Sequence, residues 1–388
     1  MNATITCGFL PLVDCVPLVV AREFGFARSE GIDLRLSRYP SWSTLRDMLA
    51  FGQIDTAHML APTPIAMSLS LGGFSAQIDT LMVLSVNGNS IGVHPDIAGK
   101  MRAIGWDGSF TTPRETGEFL LAVTGGKLRI GSPFPFAMHT ELLRHWLTAL
   151  GMPEEELDIR IVPPPHMPAA MAKGEIDAFC VGEPWGSSAV ENGHAELVLP
   201  GSSIWSFAPE KTLAARRDWV DENPNAVRAL MRAVYHAAEW LHDDHNRMMA
   251  ANLLARQEYL NLSEQIIDRA LSRRIVTRHN GAPVHVPEFQ RFFSSAATFP
   301  WRSQAAWIAT RLAARNGLDR PHALEVGKAS FRSDLYRQNL AGLGIDLPGA
   351  SEKLEGALSH PTAVASTRGE MILGPDAFFN GEIFDLTR

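Results

Sequence analysis

Cysteine is scarce in this chain and blocks of positive charge are missing. Cys7, Cys15 and Cys180 are the only thiols in 388 residues. They are odd in number and too few for a disulfide framework, so buried free thiols in a reducing compartment are expected. The formal net charge is −7, and no basic run is present to neutralise phosphates, which argues against direct nucleic-acid binding. The arginines at Arg269, Arg273 and Arg274 read as the polar face and end of a helix. No apolar run is long enough to span a bilayer. The opening "MNATITCGFLPLVDC" lacks a positive leader, an apolar core and a small-residue cleavage site, and Cys7 has no signal ahead of it to make a lipid anchor. The expectation is a cytoplasmic chain. Nucleophile elbow, H-E-x-x-H, P-loop and G-x-G-x-x-G are all missing. His139, His145, His166 and His194 show no ligand-like pairing with cysteine or carboxylate. No metal, cofactor or catalysis is called for.

What is there is a repeat. "MLAFGQIDTAHMLAP" (48–62) and "AMAKGEIDAFCVGEP" (170–184) align at an offset of 122, matching Ala50 with Ala172, Gly52 with Gly174, Ile54 with Ile176, Asp55 with Asp177 and Pro62 with Pro184. The match extends upstream, where "IDLRL" (32–36) answers to "LDIRI" (157–161). Each copy reads as strand, Pro-containing loop, amphipathic helix, glycine stop, strand, short helix, strand. That is the pattern of a parallel sheet with crossover helices, and 388 residues exceed one comfortable core. The chain is therefore α/β, with two similar lobes. Ser43 is the expected N-cap of the helix before Gly52, and Gly52 its left-handed stop. The Gly- and Thr-rich segment 95–127 is expected to carry the first crossing between lobes, and the stretch from Ser203 to Val220 the return. "NPNAVRALMRAVYHAAEWLHD" begins a series of helices, and the weakly patterned 349–370 is expected to wrap the surface.

Ligands of such sheets sit beyond the carboxyl ends of the strands. The loops there are "GFLPLVD", "YPSWST", "HMLAPTP", "VNGNSI", "SPFPFAMH", "PPPHM", "CVGEPW" and "APEKT". They offer indole, amide, imidazole, ammonium and free backbone N–H donors, an inventory that suits a small anion. An enzyme on the same scaffold would need a buried paired acid and base in this cleft.

The blocks "GFLPLVDCVPLVVAREFGF", "SWSTLRDMLAFGQIDTAHMLAPTPIAMSLSLGG", "VNGNSI", "VPPPHM", "IDAFCVGEPW" and "PEK", in this order over most of the chain from residue 5 to about 245, strongly resemble the nitrate/bicarbonate solute-binding proteins of ABC transporters. The resemblance implies a type II periplasmic-binding-protein fold, two Rossmann-like lobes around a ligand cleft with extra C-terminal helices. Lobe I would comprise 1–94 and 206–388, and lobe II 95–205. It also implies a binding protein, not an enzyme, with a pocket of Trp42, Asn89, His139, Pro164, Gly182, Glu183 and Lys211. Trp42 would reach the oxyanion through its indole N–H. Asn89 stands where nitrate binders commonly carry glutamine. His139 matches a family histidine at the anion, and Gly182 and Glu183 form a wall, with Glu183 orienting Lys211. Lys211 matches nitrate-type members, whereas bicarbonate-type members carry a carboxylate there. The missing export signal turns the resemblance toward cytoplasmic nitrate/nitrite sensors of the NasS kind, which control an RNA-binding antiterminator of nitrate assimilation. The alternative is the solute-binding component of a nitrate ABC transporter.

Overall fold

The computed structural model describes residues 3–73 and 75–386. Two sheets form the centres of two lobes. The first contains β1 (Ala3–Phe9), β2 (Ile32–Arg38), β3 (Thr56–Leu60), β4 (Ile78–Asn87) and, after a long excursion, β10 (Pro209–Arg216). The second contains β5 (Asn89–Val93), β6 (Arg129–Ser132), β7 (Asp158–Ile161), β8 (Ala178–Gly182) and β9 (Glu196–Pro200). The spatial orders are β4-β10-β3-β1-β2, with the short strand Gln290–Arg291 outside β4, and β7-β6-β8-β5-β9. Strands β1, β2 and β3 run parallel, as do β6, β7 and β8, while β10 and β5 enter antiparallel to their neighbours. The fold is the expected two-lobed α/β arrangement. Strands β3, β4, β5 and β8 are buried along their whole length, which suits sheets covered by helices on both faces.

The repeat has a structural cause. Asp55 and Asp177 each tie the last strand of a βαβ unit to the first: Thr6 N donates to Asp55 Oδ2 at 2.7 Å and Arg129 N to Asp177 Oδ2 at 2.9 Å. The isoleucine ahead of each aspartate packs on a strand glycine. A Cβ on Gly8 would stand 2.7 Å from Ile54 Cδ1, and one on Gly131 2.8 Å from Ile176 Cδ1. Gly52 and Gly174 take left-handed φ of 69° and 65°, where a side chain would be strained. The repeated residues thus close each unit.

Two local expectations are corrected. The N-cap of the helix Trp42–Ala50 is Ser41, whose Oγ accepts from Thr44 N at 3.2 Å, and not Ser43. The first crossing lies at Gly88, between β4 and β5, with φ 97°. The segment 95–127 instead supplies helices Pro95–Ala103 and Pro113–Thr124. The second sheet accordingly begins at Asn89, a few residues ahead of the expected lobe boundary. The return crossing occupies 201–208, starting just ahead of the expected stretch and ending where β10 takes up the rest of it.

The C-terminal part does more than cover one lobe. Helix Arg302–Asn316 packs on the helix Pro62–Ser68 of the first lobe. It also reaches the second lobe, where Arg315 grips Glu141 of helix Met138–Ala149 through bonds of 3.0 and 2.6 Å. The tail runs beside the return crossing: Ser206 N donates to Ala377 O, Phe379 N donates to Ile204 O, and Phe378 stacks on Trp205 with ring centroids 4.7 Å apart. The segment 349–370 holds Thr362–Ser366, which pairs with Gly369–Leu373 as a hairpin.

Candidate functional site

The lobes close on one another at the ends of the strands. Val13 N donates to Glu183 O at 2.8 Å, Trp185 Nε1 to Pro11 O at 3.0 Å, and Thr63 Oγ1 to Phe136 O at 2.9 Å. Beneath these contacts lies a cluster of ionisable side chains, all of them buried. Lys211 sits on β10 between β3 and β4, where register shifts on both sides of it in the pairing with β4 interrupt the strict alternation of side chains. Its Nζ is 2.8 Å from Asp14 Oδ2 and 2.8 Å from Glu210 Oε1. Asp14 comes from the turn Val13–Cys15 after β1 and also faces His58 of β3, Oδ1 to Nε2 2.8 Å. That pair is close but not aligned as a hydrogen bond. Glu210 accepts from Asn89 Nδ2 at 2.7 Å and lies 3.1 Å from His139 Nδ1.

Above the ammonium is Trp42, at the start of its helix, with its ring 5.5 Å from Lys211 Nζ and 5.6 Å from the His58 ring. A cation over an indole face is attracted by the ring quadrupole. Gly182, at the end of β8, allows the two lobes to meet here. A Cβ on it would stand 2.8 Å from Leu12 Cδ2, 3.6 Å from Asp14 Oδ2 and 3.7 Å from His139 Nε2. Trp42 Nε1, His58 Nδ1 and His139 Nε2 are all buried without a hydrogen-bond partner in the protein, so each is open to a ligand or a water.

Environment separates the charges. Burial raises the Asp14 carboxyl, but Lys211 and His58 outweigh it and hold the group at about 2. Burial alone would lower Lys211, and the two carboxylates more than reverse that. Glu210 moves the other way, raised by burial against the pull of Lys211. With two carboxylates sharing one ammonium, Asp14 keeps its charge and Glu210 is the one that takes up a proton first. Burial pushes both imidazoles down, His58 against the attraction of Asp14 and His139 further with the repulsion of Lys211.

Most of the expected pocket is thus brought together: Trp42, Asn89, His139, Gly182 and Lys211 meet around one point between the lobes. Two expectations change. Glu183 does not orient Lys211. Its Oε1 accepts from Ser90 Oγ and its Oε2 from Ser187 N, both at 3.0 Å, so the carboxylate holds the start of the next helix. Pro164 is buried at the head of the turn Pro164–His166 and takes no part in the cluster's hydrogen bonds or ion pairs. Asn89 spends its amide N–H on Glu210 and so orients the acid. Asp14, His58 and Glu210 join the cluster from "GFLPLVD", "HMLAPTP" and "APEKT", beyond the residues the resemblance implies. The donors of those loops point to an anion by their type, whereas an acid signals a place beside it only through the cation it faces.

The acid–imidazole pairs are what an enzyme would use, and the three thiols do not serve them as nucleophiles. Burial drives Cys7 up to about 12 and Cys15 and Cys180 well above the ordinary thiol range, so none supplies a thiolate. Among the described residues no group of three His, Cys, Asp or Glu side chains could hold a metal ion. A groove of about 790 Å³ between helices Asp244–Leu254 and Glu264–Leu271 contains none of the cluster residues.

Two lobes of this topology closing over buried donors define a solute-binding protein. The profile of the NMT1-like family matches residues 2–255, and the chain belongs to that family. It is similar to the nitrate/nitrite binding protein NrtA of Synechocystis sp., 33% identical over 79% of this chain and 69% of that one. It is also similar to the nitrate import ATP-binding protein NrtC of the same organism, 31% identical over 87% of this chain. The chain spans about half the length of that relative, 50%. The crystal structure of periplasmic nitrate-binding NrtA from Synechocystis PCC 6803 superposes with a TM-score of 0.83 at 27% identity, covering 99% of this chain and 96% of that one.

Proposed function

We propose that this chain binds nitrate or nitrite in the closed cleft and serves as the solute-binding component of a nitrate import system. The observation that carries the anion reading is the pair of buried, unpartnered ring nitrogens, Trp42 Nε1 and His139 Nε2, around the buried Lys211 ammonium. A planar monoanion there would take the free N–H of the lysine, the indole N–H and an imidazole N–H, with Gly182 against its edge. Charge-assisted hydrogen bonds of this kind contribute about 1.5–3 kcal/mol each. The hinges are Gly88 and 201–208, and the anion favours closure only as far as it binds the closed state better than the open one. The names of the NrtA and NrtC relatives support nitrate as ligand and import as the role.

Calorimetric titration with nitrate, nitrite, bicarbonate and sulfate tests the ligand. Saturable heats with nitrate or nitrite are expected. Silence with both, or tighter binding of bicarbonate, overturns the reading. The sensor role, with its cytoplasmic location and antiterminator partner, is the other reading of the same loops. Capture from cell lysate with and without millimolar nitrate separates the two roles. A soluble partner that nitrate releases would replace the import reading, and capture of membrane components would uphold it.

A further inference from the structure

His139 Nδ1 lies 3.1 Å from Glu210 Oε1. The pair is close but, like Asp14 and His58, not aligned as a hydrogen bond; an ionised carboxylate at that distance still repels a bare ring lone pair and favours a proton on Nδ1. When only that proton is present and Glu210 is ionised, His139 is the Nδ1–H tautomer and its Nε2 carries a bare lone pair. Nε2 is the atom that faces Gly182 and the pocket. A lone pair there would repel an anion, and the nitrogen becomes a donor only when a second proton arrives. The charge balance demands the same thing. Asp14 and Glu210 already outnumber Lys211, so an added monoanion would leave two uncompensated negative charges in a buried site, which is strongly unfavourable.

We propose that anion binding in this cleft takes up one proton, held by the Glu210–His139 pair, so that the protein responds to the anion and to acidity together. The proposal rests on the oxyanion reading given above. The groups facing the pair are Asp14 and Cys15 from the turn after β1, His58 from β3, Asn89 from β5, Cys180 and Glu183 around the end of β8, and Lys211 beside Glu210. Asp14 stays ionised, both thiols stay protonated, and Glu183 is bonded to Ser90 and Ser187. His58, paired with Asp14, is the competing seat for the proton. Because the bound state holds the extra proton, affinity is greatest at low pH and falls as pH rises, by up to about tenfold per pH unit on the alkaline side.

The test is nitrate calorimetry on the whole protein at pH 8 in Tris and in phosphate, buffers of high and low ionisation enthalpy. The difference in heat should correspond to close to one proton taken up per nitrate. Equal heats with binding intact overturn the proposal, whereas no binding in either buffer speaks against the oxyanion reading itself. A second arm uses Glu210→Gln. Its amide can donate to His139 Nδ1 and fix the Nε2–H tautomer without a proton from solution, so uptake should vanish and affinity should become flat with pH. Uptake that persists in Glu210→Gln places the proton on His58 and overturns the assignment to the pair.

Discussion

At the scale of single residues, Trp42 offers the cleanest separation of binding from folding. Its indole N–H has no partner in the protein, so replacing it by phenylalanine keeps most of the ring and removes a donor that folding does not use. Trp42→Phe should weaken nitrate by about 10-fold or more, the loss of one charge-assisted bond. Thermal melting should leave the midpoint unchanged or slightly raised, and a large fall in midpoint would contradict the role. Lys211 is a poorer test because it is part of the interior: removing it strands Asp14 and Glu210 in a buried site, and folding suffers with binding. The Asp14 carboxyl, held at about 2 against a usual 3.8, makes a related prediction. A depressed folded-state value contributes stability above the unfolded value, and that stability is lost as pH falls through the folded one. Urea unfolding of the wild type should therefore show a fall in stability between pH 4 and pH 2. Asp14→Asn should be weaker at pH 6 and lose less over that interval.

At the scale of elements, Asp55 and Asp177 do the same work in two lobes. Each accepts from the backbone of its first strand, Asp55 also from Thr6 Oγ1 at 2.7 Å and Asp177 also from Arg129. Asp55→Ala and Asp177→Ala should each cost about 1–3 kcal/mol by chemical denaturation, and nitrate affinity measured under folding conditions should stay within a factor of two. The parallel βαβ units were legible in the sequence because their cause is local, an isoleucine over a strand glycine and an aspartate two strands away in a fixed frame. The crossing at Gly88 was not legible. β4 and β5 form one apolar run interrupted by Asn87-Gly88, and only the spatial division between the sheets shows that the chain changes lobe there. The pocket divides in the same way. Trp42, His139 and Lys211 stand in recognisable loops. The acids acquire meaning from partners the fold delivers, Asp14 from Lys211 and Glu210 from His139, each more than seventy residues away in the chain.

At the scale of the whole molecule, the C-terminal helices tie the lobes together from outside the cleft. Arg315 on helix Arg302–Asn316 meets Glu141, buried on the second lobe's helix Met138–Ala149, only two residues after His139. Arg315→Ala leaves Glu141 buried without its cation, and stability should fall by about 3–5 kcal/mol, measurable by denaturant titration. The second lobe should also open more readily. Small-angle scattering of the variant without nitrate should give a larger radius of gyration than the wild type, and addition of nitrate should bring the two together. A radius unchanged in both states would show that the strap does not restrain the lobes.

The central claim is that the closed cleft holds a small oxyanion on Lys211, Trp42 and His139. Its most direct test is calorimetric titration of the purified chain with nitrate at pH 6.5, with Trp42→Phe measured beside it. One nitrate per chain, bound by the wild type and at least tenfold more weakly by the variant at equal thermal stability, is the result expected. Absence of nitrate binding to the folded wild type, or equal affinity in the two proteins, would contradict it.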